Sequence, residues 1–130
     1  VPAVSPVLVV EDESDLVTTY RRLLTRHGCR VIAAATRHEA LEAIRAESFR
    51  LVVVDLRLPD GDGLDVVRAA RATPLPPAVI VVTGFASDAT RRQAIDAGAS
   101  AYMAKPFSIS AFSSLVEQTL SGAGGQVSRN

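Results

Sequence analysis

Five residues carry side chains that could do chemistry together if the fold gathers them: Glu11, Asp12, Asp55, Thr83 and Lys105. Each closely follows an apolar run. Val7 to Val10 leads into Glu11-Asp12-Glu13, Leu51 to Val54 into Asp55, Ala78 to Val82 into Thr83-Gly84, and Ala99 to Met103 into Lys105-Pro106-Phe107. Several carboxylates brought close together repel one another, so they bind protons or recruit a hard divalent cation. Oxygen ligands and a small open site favour Mg²⁺ or Mn²⁺, which keeps waters and shares phosphate oxygens. With a cation offsetting charge, the Asp55 carboxylate becomes a nucleophile toward a phosphoryl group. Lys105 adds a second positive group and Thr83 a hydroxyl donor. The chemistry this set suits is phosphoryl transfer to an aspartyl acceptor.

The elements around these residues must deliver them to one place. Short, wholly apolar runs rich in β-branched residues read as strands buried on both faces, the pattern of parallel strands covered by helices. Beyond Asp55, Pro59 lacks an amide hydrogen and Gly61 and Gly63 tolerate positive φ, so that segment reads as a loop. Leu16, Val17, Tyr20, Leu23 and Leu24 repeat at helical spacing between Ser14 or Asp15 and Gly28. Arg30 to Ala34 predicts a second strand, and Thr36-Arg37-His38-Glu39 has the spacing of a capping box before Ala40, Leu41 and Ile44. Leu64, Val67 and Ala70 or Arg71 trace a third helix, ended by Pro74, Pro76 and Pro77. Ser87 caps a fourth that runs through Ala94, Ile95 and Ala97 to Gly98. The last helix runs from about Ser110 to Leu120, with Phe112, Leu115, Val116 and Leu120 on its apolar side. Five strand-helix units in alternation predict a five-stranded parallel sheet with helices on both faces. Every strand's carboxyl end then lies on one edge, where ligands gather in such sheets.

With 130 residues, 48% of them hydrophobic, the chain can build one domain with one core. We place that domain at residues 7–120, with a leader at 1–6 and a tail or linker at 121–130. Fourteen basic and fourteen acidic residues balance, so the global charge advertises neither nucleic acid nor an anionic membrane as a partner. The single cysteine, Cys29, cannot form an internal disulfide and reads as a small core residue. No apolar run approaches the roughly 20 residues of a membrane span. A cytoplasmic protein is the expectation, although the chain opens on Val1 and so reads as a trimmed product or part of something longer. His27 and His38 are expected on helices away from the acidic edge.

Taken in order, Val-Val-Glu11-Asp12, Val-Asp55-Leu-Arg-Leu-Pro59, Asp60-Gly61-Asp62-Gly63, Thr83-Gly84 and Tyr102-Met-Ala-Lys105-Pro106-Phe107 resemble the receiver domain of bacterial two-component response regulators. The resemblance covers roughly Val7 to Leu120. It implies a flavodoxin-like (βα)5 fold with sheet order 2-1-3-4-5. It implies Asp55 as the residue phosphorylated by a sensor histidine kinase or a phosphotransfer protein. Asp12, Asp55 and the Arg57 carbonyl would hold Mg²⁺ (or Mn²⁺), with Glu11 acting through water. Thr83 and Lys105 would contact phosphoryl oxygens, and the Lys105-Pro106 bond would be cis, aiming the lysine into the site. Phosphorylation would draw Thr83 inward, letting Tyr102 turn and remodelling the face of the fourth helix, fifth strand and fifth helix. Asp88, Arg91, Arg92 and Ser108 are candidates to line that face, through which an effector or a second copy of the domain would be engaged. Arg57 and Phe85, each two residues beyond a site residue, would modulate hydrolysis. Phe85 would obstruct the attacking water, while Arg57 would pair with phosphoryl oxygens or point to solvent. The residues argue against two rivals. A flavodoxin's phosphate would be repelled by Glu11-Asp12-Glu13, and a haloacid-dehalogenase phosphatase needs an acid where Arg57 stands. The remaining alternative is a receiver-like interaction module that is never phosphorylated.

Overall fold

The computed structural model describes residues 5–122. Five strands, β1 (Val7–Val10), β2 (Val31–Ala34), β3 (Leu51–Val54), β4 (Ala78–Thr83) and β5 (Ala101–Ala104), form one parallel sheet in the order β2-β1-β3-β4-β5. Between and after them run α1 (Ser14–Arg26), α2 (Arg37–Ala46), α3 (Gly63–Arg71), α4 (Asp88–Ala97) and α5 (Ile109–Gly122). This is the doubly wound parallel arrangement the alternation predicts, in the flavodoxin-like order the resemblance implies.

The strands lack polar alternation because both faces are covered. Leu8, Val10, Val52, Val54, Val79 and Val81 pack beneath α2, α3 and α4. Val7, Val9, Leu51, Val53, Ile80 and Val82 pack on the other face with Tyr20, Leu24, Phe112 and Val116 of α1 and α5. Every one of these strand residues is at most 1% exposed. Full burial of a valine or leucine contributes about 1.5–3 kcal/mol, so the sheet is held chiefly by these two layers. Register then aligns the functional edge. Val10 pairs with Val54, Val54 with Val81, and Thr83 with Ala104, so Glu11, Asp55, Thr83 and Lys105 emerge side by side.

Several local details differ from the sequence expectation. The segment after Asp55 is a miniature antiparallel ladder, Arg57–Leu58 against Gly61–Asp62, with Pro59 and Asp60 at its turn. Two-residue strands are too short to show a period. Gly63 is required for close approach: a Cβ there would lie 2.1 Å from the Asp55 carbonyl oxygen. The Gly63 amide donates to the Leu56 carbonyl at 2.8 Å, folding the loop back under the acid. The Asp62 carboxylate accepts from the Leu64 amide at 2.9 Å and caps α3.

The capping box at α2 is half formed. Thr36 accepts from the Glu39 amide, but Glu39 reaches past the cap to the Ala35 amide at 2.7 Å. Asp60 supplies the rest from the neighbouring loop, accepting from the Arg37 and His38 amides at 2.7 and 2.9 Å. The His38 amide above all, joined by that of Arg37, holds the Asp60 carboxyl below its ordinary value. The ladder beyond Asp55 is thereby tied to the start of α2. At α4 the expected cap is complete, with Ser87 and Thr90 forming a reciprocal box and Gly98 closing the helix at φ 111°. α1 begins at Ser14 with Glu13 as a cap whose side chain makes no capping bond.

Pro6 is buried and its carbonyl accepts from the Arg50 amide at 3.0 Å, so packing begins before β1. The rest of the expected leader, residues 1–4, and of the tail, 123–130, lies outside the described residues. Among the described residues no helix is long and apolar enough to cross a membrane.

Candidate functional site

At the carboxyl edge of the sheet the Lys105 ammonium sits 2.7 Å from Asp55 Oδ2, 2.9 Å from Glu11 Oε1 and 3.5 Å from Glu13 Oε1. Three strand ends therefore meet at one cation. β1 and β3 are adjacent and bring Glu11 and Asp55 together, while β5, with the Lys105-Pro106 peptide cis, carries the lysine across. The second oxygens of the two acids are held by backbone: Glu11 Oε2 accepts from the Glu13 amide at 3.2 Å, and Asp55 Oδ1 from the Arg57 amide at 3.1 Å. The side chains of Glu11 and Asp55 are only 1% and 8% exposed, which makes Lys105 their principal counter-charge.

The electrostatics follow from that burial. Desolvation opposes the charge on Lys105, but the hydrogen bonds it donates to Asp55 and then to Glu11 outweigh it and push its pKa up to about 12. Glu11 moves the other way in stability terms: burial raises its pKa above the ordinary carboxylate value even though Lys105 and the Glu13 amide pull it down. Burial, reinforced by the carboxylates of Glu11, Asp55 and Glu13, pushes the Tyr20 hydroxyl well above its ordinary value. That hydroxyl is the only buried side-chain polar atom among the described residues without a hydrogen-bond partner. Its ring stacks on Phe107 and contacts Phe112, which fixes the loop carrying Lys105.

Asp12 lies on the same turn with an exposed side chain. Among the described residues no three carboxylate, histidine or cysteine side chains close on one point. Glu11 and Asp55 close instead on the ammonium. Three carboxylates on one lysine, with Asp12 beside them on the same turn and oxygen donors only, leave an excess of negative charge that fits a hydrated hard cation.

Thr83 is fully buried, and its hydroxyl accepts from the Phe85 amide at 3.2 Å. The Thr83 carbonyl takes the Lys105 amide at 2.9 Å, so β4 and β5 stay paired up to the site. Tyr102 is half-buried, with its hydroxyl 2.7 Å from the Thr90 hydroxyl on α4. Arg57 takes a third course beside the two left open by the sequence: its guanidinium lies 3.8 Å above the Phe85 ring, which is 54% exposed. This cation-π pair joins the loop after β3 to the loop after β4 at the rim of the site.

Some participants escaped the sequence reading. Glu13, which the sequence marks only as the third acid after β1, reaches Lys105. Tyr20 gave no signal beyond its helical spacing. Thr90 was legible in principle, three residues after the Ser87 cap. His27 lies off the site as expected, but at the C-cap of α1 and not within the helix, and it is bonded to Ser113 at 2.8 Å. Cys29 is buried and free.

The response regulator receiver domain model matches residues 7–117. The KDP operon transcriptional regulatory protein KdpE of Escherichia coli is 38% identical over 79% of this chain, but the match takes in only 45% of its own length. The chain thus spans less than half of that curated relative. Among solved structures, a CheY-like receiver domain protein from Methanospirillum hungatei superposes with a TM-score of 0.86 at 29% identity, covering 94% of this chain and 98% of that one. A response regulator from Burkholderia pseudomallei, described with a phosphorylated aspartic acid, calcium ion and citrate, gives 0.78 at 33% identity, covering 92% and 69%. The receiver domain of the Pseudomonas aeruginosa sensor histidine kinase PA1611, with magnesium coordinated in its active-site cleft, gives 0.79 at 26% identity, covering 92% and 99%. A carboxylate pair and a lysine gathered by strand ends, on this fold and with this match from β1 into α5, place the chain in the family of response regulator receiver domains.

Proposed function

We propose that this domain accepts a phosphoryl group on the Asp55 carboxylate from the phosphohistidine of a sensor histidine kinase or phosphotransfer protein. The observation that carries the proposal is the buried Asp55-Lys105-Glu11 cluster, with Asp55 2.7 Å from the ammonium at the sheet's functional edge. An Asp55 oxygen attacks phosphorus, the phosphorus-nitrogen bond breaks, and its electron pair leaves with the imidazole of the donor. Lys105, already charged and oriented, meets the negative charge of the incoming group. Thr83, at the end of β4, supplies a hydroxyl to a phosphoryl oxygen. Asp12, Asp55 and the Arg57 carbonyl are the groups that would hold Mg²⁺, with Glu11 through water; bound there, the cation neutralises charge on the transferring oxygens. The domain has no separate substrate to turn over. It assists its own phosphorylation and hydrolysis and acts as a cytoplasmic switch.

The output would leave through α4, β5 and α5, toward an effector domain or protein or toward a second copy of the chain. Titration with beryllofluoride plus Mg²⁺, followed by amide NMR, tests this. Shifts are expected at Asp55 and along residues 83–107. Shifts confined to α1 and α2, or none, would return the chain to the role of an interaction module that is never phosphorylated.

Hydrolysis needs a water in line behind the phosphorus, and the Arg57-Phe85 pair stands at the rim such a water must cross. Removing either partner should open that approach. Phe85→Ala and Arg57→Ala are each expected to lose the phosphoryl group faster than wild type by on the order of tenfold, about 1.4 kcal/mol in barrier. The measurement is the decay of phosphorylated protein at fixed Mg²⁺. Equal lifetimes in wild type and Phe85→Ala would show that the pair does not shield the site.

A further inference from the structure

The first turn of α4 holds a hydrogen-bond cluster that neither the phosphoryl site nor the sheet requires. The Ser87 amide donates to the Thr90 hydroxyl at 3.0 Å and lies 3.3 Å from the Tyr102 hydroxyl. The two hydroxyls are 2.7 Å apart. Thr90 also reaches the Phe85 carbonyl at 3.3 Å, and its own amide donates to the Ser87 hydroxyl at 3.1 Å. A proton arrangement that satisfies the set has Tyr102 donating to Thr90, Thr90 donating to the Phe85 or the Ser87 carbonyl, at 3.3 and 3.2 Å, and the Ser87 amide shared. The Tyr102 ring meanwhile packs against the buried cluster beneath α4.

We infer that Thr90 is a positioning residue for the switch: it latches Tyr102 to the cap of α4 in a docked rotamer and so sets the balance between the domain's two states. The inference rests on the receiver reading above. It follows because Thr90 serves two elements with one hydroxyl: it accepts from the Ser87 amide in the α4 cap and meets the Tyr102 hydroxyl from β5. Release of Tyr102 therefore removes one bond from a hydroxyl that the cap also uses, while the cap's own Ser87–Thr90 bonds remain. Phe85, whose carbonyl receives Thr90, is two residues from Thr83, so the latch spans the loop between the phosphoryl site and α4. The latch is taken to hold the rotamer that the phosphorylated state keeps, so that part of the turn of Tyr102 precedes phosphorylation and lowers its conformational cost.

The test compares wild type with Thr90→Val, Thr90→Ser, Tyr102→Phe and the double variant Thr90→Val/Tyr102→Phe. The chain has two tyrosines and no tryptophan, so ring-labelled tyrosine gives one reporter, Tyr102, and one internal reference, Tyr20. In the resting protein Thr90→Val should move the Tyr102 ring signals toward those of a free tyrosine and leave Tyr20 in place. Thr90→Ser should keep both. The beryllofluoride concentration at half-saturation should rise by about 3- to 10-fold in Thr90→Val and in Tyr102→Phe, the range one net hydrogen bond allows. The double variant should rise no further than either single one, which a mere loss of the α4 cap would not produce. Tyr102→Phe keeps the cap intact and carries the test should Thr90→Val fold poorly. Unmoved Tyr102 signals, an unchanged or lowered midpoint, or multiplicative single effects would overturn the latch. If wild type fails to respond to beryllofluoride, the receiver reading fails, and the resting-state tyrosine signals still decide whether Thr90 holds Tyr102.

Discussion

Incubated with phosphoramidate or acetyl phosphate and Mg²⁺, the wild-type chain is expected to gain one covalent phosphoryl group by intact mass, and Asp55→Asn none. The carboxamide offers no anionic oxygen to attack phosphorus, although it nearly preserves the shape of a side chain only 8% exposed. The substitution therefore tests chemistry with little change in packing. Chelation should also suppress the adduct, because without a cation the carboxylates of Glu11, Asp12, Glu13 and Asp55 face the incoming anion with Lys105 as the only ammonium among them. Asp12→Ala removes an exposed acid and is expected to slow phosphorylation on the order of 100-fold, about 2.7 kcal/mol of barrier. An undiminished adduct in Asp55→Asn, mapped to Glu11 or Asp12, would remove Asp55 from its role.

The residues of this site were legible in the sequence because the sheet's topology does most of the positioning. Four apolar runs end on or just before reactive residues, and parallel connectivity sends every such end to one edge. What the sequence could not show were contacts decided by side-chain rotamers and by loops without a period. Arg57 is the clearest case. Its spacing from Asp55 placed it at the rim, but only the three-dimensional approach of the loop after β4 puts Phe85 beneath its guanidinium. Gly63 is similar. Its freedom at positive φ suggested a turn, whereas the structure needs it because the Asp55 carbonyl leaves no room for a Cβ. Asp60 caps a helix that starts more than twenty residues earlier, a partnership that no local window can contain. Tyr20 and Glu13 sat at helix positions where burial and surface charge are ordinary, and their relation to Lys105 exists only after α1 and α5 pack.

Lys105 is the only lysine in the chain, so an amine-directed acylating reagent reads this one site and the α-amino group. The neutral amine is the reactive form. With the pKa pushed from the ordinary 10.5 to about 12 by Asp55 and Glu11, against the desolvation that opposes its charge, the neutral fraction at a given mildly alkaline pH falls by about 30-fold. In chelator, Lys105 is therefore expected to acylate about 30 times more slowly than a free lysine side chain. Asp55→Asn and Glu11→Gln should each speed the reaction, and the double variant most of all, because burial then acts on the ammonium without either partner. The sign for stability follows the same shift. A pKa raised on folding gives a contribution fully present below about 10.5 and lost as pH rises through about 12. Neutral-pH measurements on wild type thus see the ion pair intact, and alkaline unfolding should come at lower pH in Asp55→Asn. Peptide mapping separates Lys105 from the α-amino group, and arginines do not compete for the reagent. Wild-type Lys105 reacting at the rate of a free lysine, or unchanged by Asp55→Asn, would mean that the ammonium is not held between the two acids in solution.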